Sequence, residues 1–247
     1  MDTAKLPPDT RRIWEKLEIS PLLTGFVLIG GTALTIRIGH RISEDLDFAF
    51  LGDLLPVLRL RQLVDAMRKA GIDMQLNQDA IAEQEFVDSG LLLEEHQQNY
   101  IADNAVKVSF VRLDNPTTGI LSGTSDSPLR VATLDEVFKT KALVCAERSK
   151  TRDWFDLYIM MTRHGYEASD LYRAFQEADR AGSFQVAELR LRACKASATD
   201  EGYLQMVKPA PTLDELRQFF NEALDRLQVT LSKIAFANAA ATARTSK

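Results

Sequence analysis

Two aspartates separated by a single residue, Asp45 and Asp47, have a spacing that suggests chemistry. They lie in the stretch DLDFAFL, whose alternating pattern predicts a β-strand. On a strand both carboxylates project from one face, while Leu46 and Phe48 project from the other. Neighbouring carboxylates repel each other unless water or a cation screens them, and Mg²⁺ is the usual cation where carboxylates meet phosphate oxygens. The pair therefore indicates either a metal site or an edge strand with a solvated acidic face.

A glycine pair, Gly30 and Gly31, precedes the aspartates, with 13 residues between Gly31 and Asp45. It follows the apolar run FVLI, a predicted strand, and precedes TALTIRIG, a predicted helix. Backbone N–H groups at the start of a helix bind anions, and glycines let a phosphate approach the chain closely. A tight turn between strand and helix that binds no ligand is the alternative. Together with the two aspartates, however, the turn favours a site for phosphate and metal.

A lysine, Lys141, lies on the apolar face of a predicted helix, TLDEVFKTKALVCAER, which begins with a capping box of Thr133 and Glu136. A lysine on such a face is costly unless its stem lies along the apolar surface with the ammonium in water, or the ammonium meets an anion. Both arrangements stay open, and the second includes a contact with a triphosphate. The apolar stripe around the lysine consists of Leu134, Val137, Phe138, Ala142 and Cys145.

The string GGTAL…R…HRISEDLDF resembles the start of the AbiEii-type nucleotidyltransferase toxins, a group that includes AbiGii and MenT-like proteins and belongs to the DNA polymerase β-like superfamily. The string KTKALVCAERSKTRDWFDLYIM resembles the second signature of that family. The resemblance implies a Mg²⁺-dependent enzyme that moves a nucleoside monophosphate from an NTP to an acceptor hydroxyl. It also implies a toxin of a toxin–antitoxin or phage-defence pair. The implied partners are a tRNA 3′ end or another RNA as acceptor and a cognate antitoxin.

The same resemblance assigns roles to residues of both strings. The implied catalytic residues are Asp45, Asp47, Lys141 and Asp153, and the implied metal ligands are Asp45 and Asp47. The implied nucleotide-binding residues are Gly30, Gly31, Thr32, Ser43, Lys141 and Arg148. Asp156 lies inside an apolar run, and we expect it to pair internally with a base such as Arg152 or Arg148.

The chain departs from the family pattern at Ser109. Several members of the family carry an aspartate there, on the strand NAVKVSFVRL, as a third carboxylate beside the metal pair. A serine hydroxyl binds metal less well than a carboxylate and is a poor base. A catalytically weakened protein of the same fold, which binds nucleotide or regulates, is therefore the alternative to an active enzyme. A helical interaction protein is a third and weaker alternative.

Short strands and helices in the first half are expected to position these residues, and the second half reads as helical. The predicted fold class is α+β, a small mixed sheet with flanking helices of the polymerase β-like type, followed by a helical C-terminal part. The predicted boundaries are 1–130 for the nucleotidyltransferase core with its N-terminal helix and 131–247 for a helical domain that completes the active site. The predicted helices of this second domain lie at 133–148, 152–165, 167–180, 183–195 and 212–232.

Composition restricts the partners and the compartment. The formal net charge is −5, so no global positive field recruits nucleic acid or an anionic membrane. Six basic residues against three acidic ones between Lys139 and Arg163 form the best local candidate for a polyanion contact. Two cysteines are too few for a disulfide framework and are expected to be buried thiols. No run of 18 apolar residues occurs. We expect a cytoplasmic protein without a membrane partner.

Overall fold

A computed structural model describes residues 2–124 and 128–245, with side chains described as far as residue 238. The chain divides into two units, Met1–Val137 and Phe138–Lys247. The division falls within one helix, and each unit is described by itself below. The prediction that the second domain completes the active site stays a prediction.

The first unit is built on a mixed six-stranded sheet, as the sequence predicted. Its strand order is β3-β4-β5-β2-β1-β6. Strands β2 and β5 are parallel, as are β1 and β6, and the other neighbours are antiparallel. The strands are β1 (Phe26–Ile29), β2 (Leu46–Phe50), β3 (Met74–Leu76), β4 (Gln97–Ala102), β5 (Val106–Arg112) and β6 (Leu129–Val131). The helices are α1 (Pro8–Leu17), α2 (Gly30–Ile38), α3 (Val57–Lys69), α4 (Ala80–Asp88) and α5 (Asn115–Ile120).

The sequence also predicts a helix over residues 54–70, a strand over residues 72–78 and a loop over residues 114–128, and the structure differs at the helix and at the loop for local reasons. The helix expected from Leu54 begins at Val57, because Pro56 disfavours helical backbone in the residue before it. The loop expected after Asp114 contains the short helix α5, whose first N–H groups are capped by the Asp114 carboxylate. Residues 125–127 of that loop lie outside the described residues.

Aromatic rings cover one face of the sheet. The ring of Phe48 stacks on Phe110 at 5.3 Å and on Trp14 of α1 at 6.4 Å, measured between ring centroids. These three side chains are buried. Since side chains alternate along a strand, burial of Phe48 turns Asp47 to the opposite face. The hydrophobic core thus fixes which way the candidate ligands point.

A buried ion pair in the first unit joins Arg130 of β6 to Glu136. Glu136 accepts two hydrogen bonds from Arg130, at 2.7 and 2.9 Å, and one each from the N–H groups of Thr133 and Gly123. The Thr133 hydroxyl in turn accepts from the Glu136 N–H, which confirms the predicted capping box. Burial alone would raise the pKa of Glu136, but its hydrogen bonds to Arg130, Thr133 and Gly123 hold the pKa below its usual value.

The second unit is helical, as predicted. Helix α6 (Leu134–Val144) spans the boundary between the two units and is followed by α7 (Thr151–Arg163), α8 (Ala168–Glu177), α9 (Phe184–Ala193) and α10 (Leu213–Thr245). Cys145 and Cys194 are buried free thiols, and burial raises the pKa of Cys194 to about 12. Among the described residues, no helix is long and apolar enough to cross a membrane.

Replacing Arg130 by methionine should destabilise the protein by about 3–5 kcal/mol, because the buried Glu136 carboxylate would lose the guanidinium that donates two hydrogen bonds to it. Denaturant unfolding measures the loss. The matched control is Arg61→Met, which breaks the exposed pair with Glu94 and should cost about 1 kcal/mol or less. Equal losses in the two variants would show that the backbone N–H groups alone satisfy the Glu136 carboxylate.

Candidate active site

The glycine turn brings the end of β1 against the candidate metal ligand. Gly30 has a φ of +72°, a left-handed conformation that favours glycine. A Cβ at this position would lie 3.2 Å from Asp47 Oδ2. The Asp47 carboxylate therefore packs directly on the backbone where α2 begins. Gly30 and Asp47 meet because β1 and β2 pair with Ile29 opposite Asp47.

The second glycine is required by a different contact. A Cβ on Gly31 would lie 2.5 Å from Arg41 Nη2 and 2.8 Å from Ser43 Oγ. Both side chains are buried, so neither can move aside into solvent. Arg41 lies behind the turn, and its guanidinium Nη1 donates to the Ile42 carbonyl at 3.0 Å. The glycine pair is thus explained by close packing of a carboxylate on one residue and a guanidinium on the other.

Two hydroxyls tie the segment before β2 to the start of α2. Thr32 Oγ1 lies 3.0 Å from Ser43 Oγ and donates a hydrogen bond to the backbone carbonyl of Asp45. Thr35 Oγ1 donates to the Arg41 carbonyl at 3.0 Å. Thr32 and Ser43 are buried, which favours a positioning role for them. Their hydrogen bonds fix the backbone of Asp45 relative to the start of α2. The predicted nucleotide-binding roles of Thr32 and Ser43 stay predictions.

Asp45 and Asp47 offer the ligands that a hard cation takes. Asp45 immediately precedes β2 and Asp47 lies within it, and both residues are half-buried. Their carboxylates are oxygen donors of the kind that Mg²⁺ binds, and the glycine turn that begins α2 lies beside Asp47. No group of three or more His, Cys, Asp or Glu suited to a metal occurs among the described residues. The remaining ligands of a bound Mg²⁺ would then be phosphate oxygens and water.

The strand next to β2 continues the face that carries Asp47. Ser109 of β5 is in register with Asp47, and Asn99 of β4 is in register with Ser109. The three side chains therefore form a polar row on the face of the sheet opposite the aromatic rings. Ser109 occupies the position where the sequence comparison with the family expected a third carboxylate.

The ammonium of Lys141 contacts carboxylates of the same chain. Its Nζ lies 2.6 Å from Asp153 Oδ1 and 2.8 Å from Asp156 Oδ2, with the lysine side chain 7% exposed. Asp156 pairs internally with a base, as expected, and a base that contacts it is Lys141, which the expectation did not name. Arg152 instead pairs with Glu201. The lysine on the apolar stripe is thus stabilised by two carboxylates of α7.

Arg148 completes this buried charge cluster. Its Nε lies 2.8 Å from Asp153 Oδ2, while its own side chain stays 53% exposed. Burial alone would raise the pKa of Asp153, but Lys141 and Arg148 outweigh it and hold the pKa low. Because the folded-state pKa is lowered, this carboxylate contributes stability above the unfolded-state pKa of about 3.9 and loses it as the pH falls through the folded-state value.

The local basic surplus is largely neutralised within the second unit. Lys139 pairs with Glu177 at 2.7 Å, and Arg152 pairs with Glu201 at 3.0 Å. Lys141 and Arg148 pair with Asp153. Four of the six basic side chains therefore have carboxylate partners, which weakens the expectation that this segment is the polyanion contact.

The structure thus brings the predicted site residues together in two groups. Gly30, Gly31, Thr32, Ser43, Asp45 and Asp47 lie together in the first unit. Lys141, Arg148 and Asp153 lie together in the second unit. The first group joins the glycine turn at the start of α2 to a pair of carboxylates at the start of β2.

Comparison with known proteins agrees with this arrangement. The profile of the family described as "Nucleotidyl transferase AbiEii toxin, Type IV TA system" matches residues 12–240. The chain belongs to this family of nucleotidyltransferase toxins. A protein of Aquifex aeolicus strain VF5, aq_aa25, is 25% identical over 183 residues, which cover 74% of this chain and 80% of the relative.

Solved structures with partial similarity include two bacterial proteins. JHP933 from Helicobacter pylori has a TM-score of 0.47 and 20% identity, with 93% of this chain and 99% of that chain covered. MenT4, the nucleotidyltransferase toxin Rv2826c from Mycobacterium tuberculosis H37Rv, has a TM-score of 0.49 and 15% identity, with 87% and 84% covered.

Replacing Lys141 by methionine should cost about 3–5 kcal/mol in the free energy of unfolding, because two buried carboxylates lose their ammonium. The matched control, Lys139→Met, breaks a more exposed pair and should cost about 1 kcal/mol or less. The triple variant Lys141→Met, Asp153→Leu, Asp156→Leu should recover much of the loss, since no unpaired charge stays buried. A triple variant less stable than Lys141→Met would contradict this account.

Replacing Gly31 by alanine should destabilise the first unit by about 1–3 kcal/mol, since the new methyl group collides with Arg41 and Ser43. Thermal unfolding checks this. Gly119→Ala is the control, because no atom lies within 4 Å of a Cβ at that helical position and the change should be neutral or slightly stabilising.

Proposed function

We propose that the protein is a Mg²⁺-dependent nucleotidyltransferase that transfers a nucleoside monophosphate from an NTP to a hydroxyl of an RNA, with a tRNA 3′ end as the acceptor. Family membership supports the reaction class and the role as a toxin of a type IV toxin–antitoxin system, whose activity a cognate antitoxin counters. The observation that carries the proposal is the contact of the Asp47 carboxylate with the glycine turn that begins α2.

In this proposal the glycine turn binds the phosphates of the NTP, and the two carboxylates hold the metal ion. The N–H groups at the start of α2 attract the β and γ phosphates. Gly30 lets the Asp47 carboxylate lie against this turn, and Gly31 leaves room for Arg41 and Ser43 beside it. Asp45 and Asp47 would hold the metal ion from the adjacent strand. Bound there, Mg²⁺ would neutralise charge on the α-phosphate and favour in-line displacement.

In the proposed displacement, one P–O bond forms at the α-phosphorus and one breaks. The acceptor hydroxyl oxygen forms a bond to the α-phosphorus, and the bond from that phosphorus to the bridging oxygen breaks. Pyrophosphate leaves with the electron pair of that bond. Since Ser109 is a poor base, the hydroxyl proton passes to solvent through Asp47, the carboxylate in register with Ser109.

The helical unit contributes the second group of residues to this proposal. Arg148 is the cation of that group with an exposed side chain, so it suits a phosphate contact best. Lys141 and Asp153 hold its guanidinium in place through the buried cluster. We retain Lys141 and Asp153 as proposed catalytic residues on the resemblance of their segment to the second signature of the family.

Ser109 supports one alternative, a nucleotide-binding protein with weakened transfer. Its side chain lies beside Asp47, where a carboxylate would bind metal or accept a proton, and the residue is 4% exposed. Such a protein would bind NTP and transfer little or nothing.

Replacing Asp45 or Asp47 by asparagine should lower transfer at least about 100-fold, because each change removes a charged metal ligand. The assay incubates the purified chain with each labelled NTP, Mg²⁺ and total tRNA, and follows label in the RNA. The matched control is Asp53→Asn, an exposed aspartate just past the end of β2, which should keep full activity.

The outcomes separate the two candidate functions. RNA labelling that disappears in Asp45→Asn and Asp47→Asn supports the transferase. NTP binding by the unmodified chain without transfer to any RNA supports the weakened protein. Transfer that both variants retain would remove the carboxylate pair from the mechanism.

A further inference from the structure

A polar strip on the face of the sheet opposite the aromatic rings extends away from the glycine turn. Its members are Asn99 on β4 and Lys107 and Ser109 on β5. Ser109 is in register with Asp47 on one side and with Asn99 on the other. Lys107 precedes Ser109 by two residues, so both side chains lie on this face. The proposed NTP chemistry uses none of the three as a metal ligand.

The Asn99 carboxamide lacks a partner where one is expected. Its Oδ1 is buried and accepts no hydrogen bond from any residue that the structure describes. Most buried polar side-chain atoms have a partner, and an exception needs an explanation. A carboxamide offers one acceptor and two donors, and rotation about its last torsion exchanges their positions. The vicinal hydroxyls of a terminal ribose could use both kinds of group.

Lys107 is an exposed cation on the same face. Within residues 2–124 and 128–245 its ammonium makes neither an ion pair nor a hydrogen bond. A solvated lysine near a polar strip attracts a polyanion without being held by a carboxylate of the chain. It contrasts with the paired cations of the second unit, such as Lys139 with Glu177.

The order of the strands gives this strip a direction. Across β1, β2, β5 and β4, the polar groups run from Gly30 through Asp47 and Ser109 to Asn99. Neighbouring strands lie about 4.8 Å apart, so Asn99 lies roughly 10 Å from Asp47, on the side away from the glycines. In an in-line displacement the attacking hydroxyl approaches opposite the leaving pyrophosphate. With pyrophosphate at the glycine turn, the hydroxyl therefore arrives from the Asn99 side.

We propose that Asn99, Ser109 and Lys107 form the acceptor subsite, in which the Asn99 carboxamide binds the terminal ribose hydroxyls of an RNA and Lys107 binds an adjoining phosphodiester. This inference rests on the proposed function and adds the residues that select the acceptor. Asn99 orients the hydroxyl that attacks, while Ser109 leaves room where a third carboxylate would repel the RNA phosphates. The subsite therefore accepts the 3′-terminal nucleotide of an RNA. A protein acceptor has no phosphodiester for Lys107 to bind.

The test measures binding, which does not depend on turnover. The probe is a short 5′-fluorescent RNA with a free terminal 2′,3′-diol, and its dissociation constant is followed by anisotropy at several salt concentrations. The variants are Asn99→Leu and Lys107→Gln. Their controls are Gln97→Leu, the same kind of change on the same strand and face, and Lys69→Gln, the loss of an exposed lysine on α3.

We expect Asn99→Leu to weaken RNA binding about tenfold, and Lys107→Gln to weaken it while lowering the salt slope by about 0.7, the value for one phosphate of a single strand. An RNA lacking both terminal hydroxyls should bind the unmodified chain as weakly as the intact RNA binds Asn99→Leu. For the Asn99→Leu variant, the RNA without terminal hydroxyls should bind no more weakly than the intact RNA. Controls should stay within about twofold, and the dissociation constant of a non-hydrolysable NTP should not change in any variant.

Unchanged RNA affinity in both variants, or equal losses in the controls, would overturn the subsite. If Asn99→Leu fails to fold, Lys107→Gln decides alone, because its side chain is exposed. Label transferred to protein and not to RNA would also overturn it. Failure of the proposed function is a separate result. It appears as no transfer by the unmodified chain, or as transfer that survives in Asp45→Asn and Asp47→Asn, whatever the RNA affinity.

Discussion

Strand register is the constraint on which the candidate site depends. The antiparallel pairing of β1 with β2 places Ile29 opposite Asp47, and the glycine after Ile29 then lies within contact of the carboxylate. A shift of one residue would turn Asp47 into the aromatic core and Phe48 outward. The packing of Phe48 between Trp14 and Phe110 prevents that shift. The hydrophobic core and the polar site are therefore set by the same hydrogen-bonded ladder.

Both units contain charges buried in neutralising sets, and these sets hold backbone segments in place. In the first unit Glu136 links Arg130 to the N–H groups of Thr133 and Gly123. In the second unit Lys141 links Asp153 and Asp156 of α7 to α6. Such sets add little net stability compared with apolar packing, but losing one member is costly. They define which helix faces meet, since only one arrangement pairs every charge.

Sequence patterns predicted much of this architecture and a part of the site. Alternation and apolar runs located β1, β2, β3 and β5, and the capping box located the start of α6. Strand β4 was missed because its polar QQN start gives no clear alternation, so the polar row ending at Asn99 could not be seen. Register between strands depends on contacts distant in sequence, which a single sequence does not reveal. The contact of Lys141 with Asp156 was missed for the same reason, because the two residues lie on different helices.

The outer strands of the sheet have a consequence for how the protein behaves at high concentration. Both edges, β3 and β6, are only three residues long, so each exposes few unpaired backbone groups. Long exposed edges are templates on which further chains add as strands. Edge strands this short offer few backbone groups to which a strand of another chain could add.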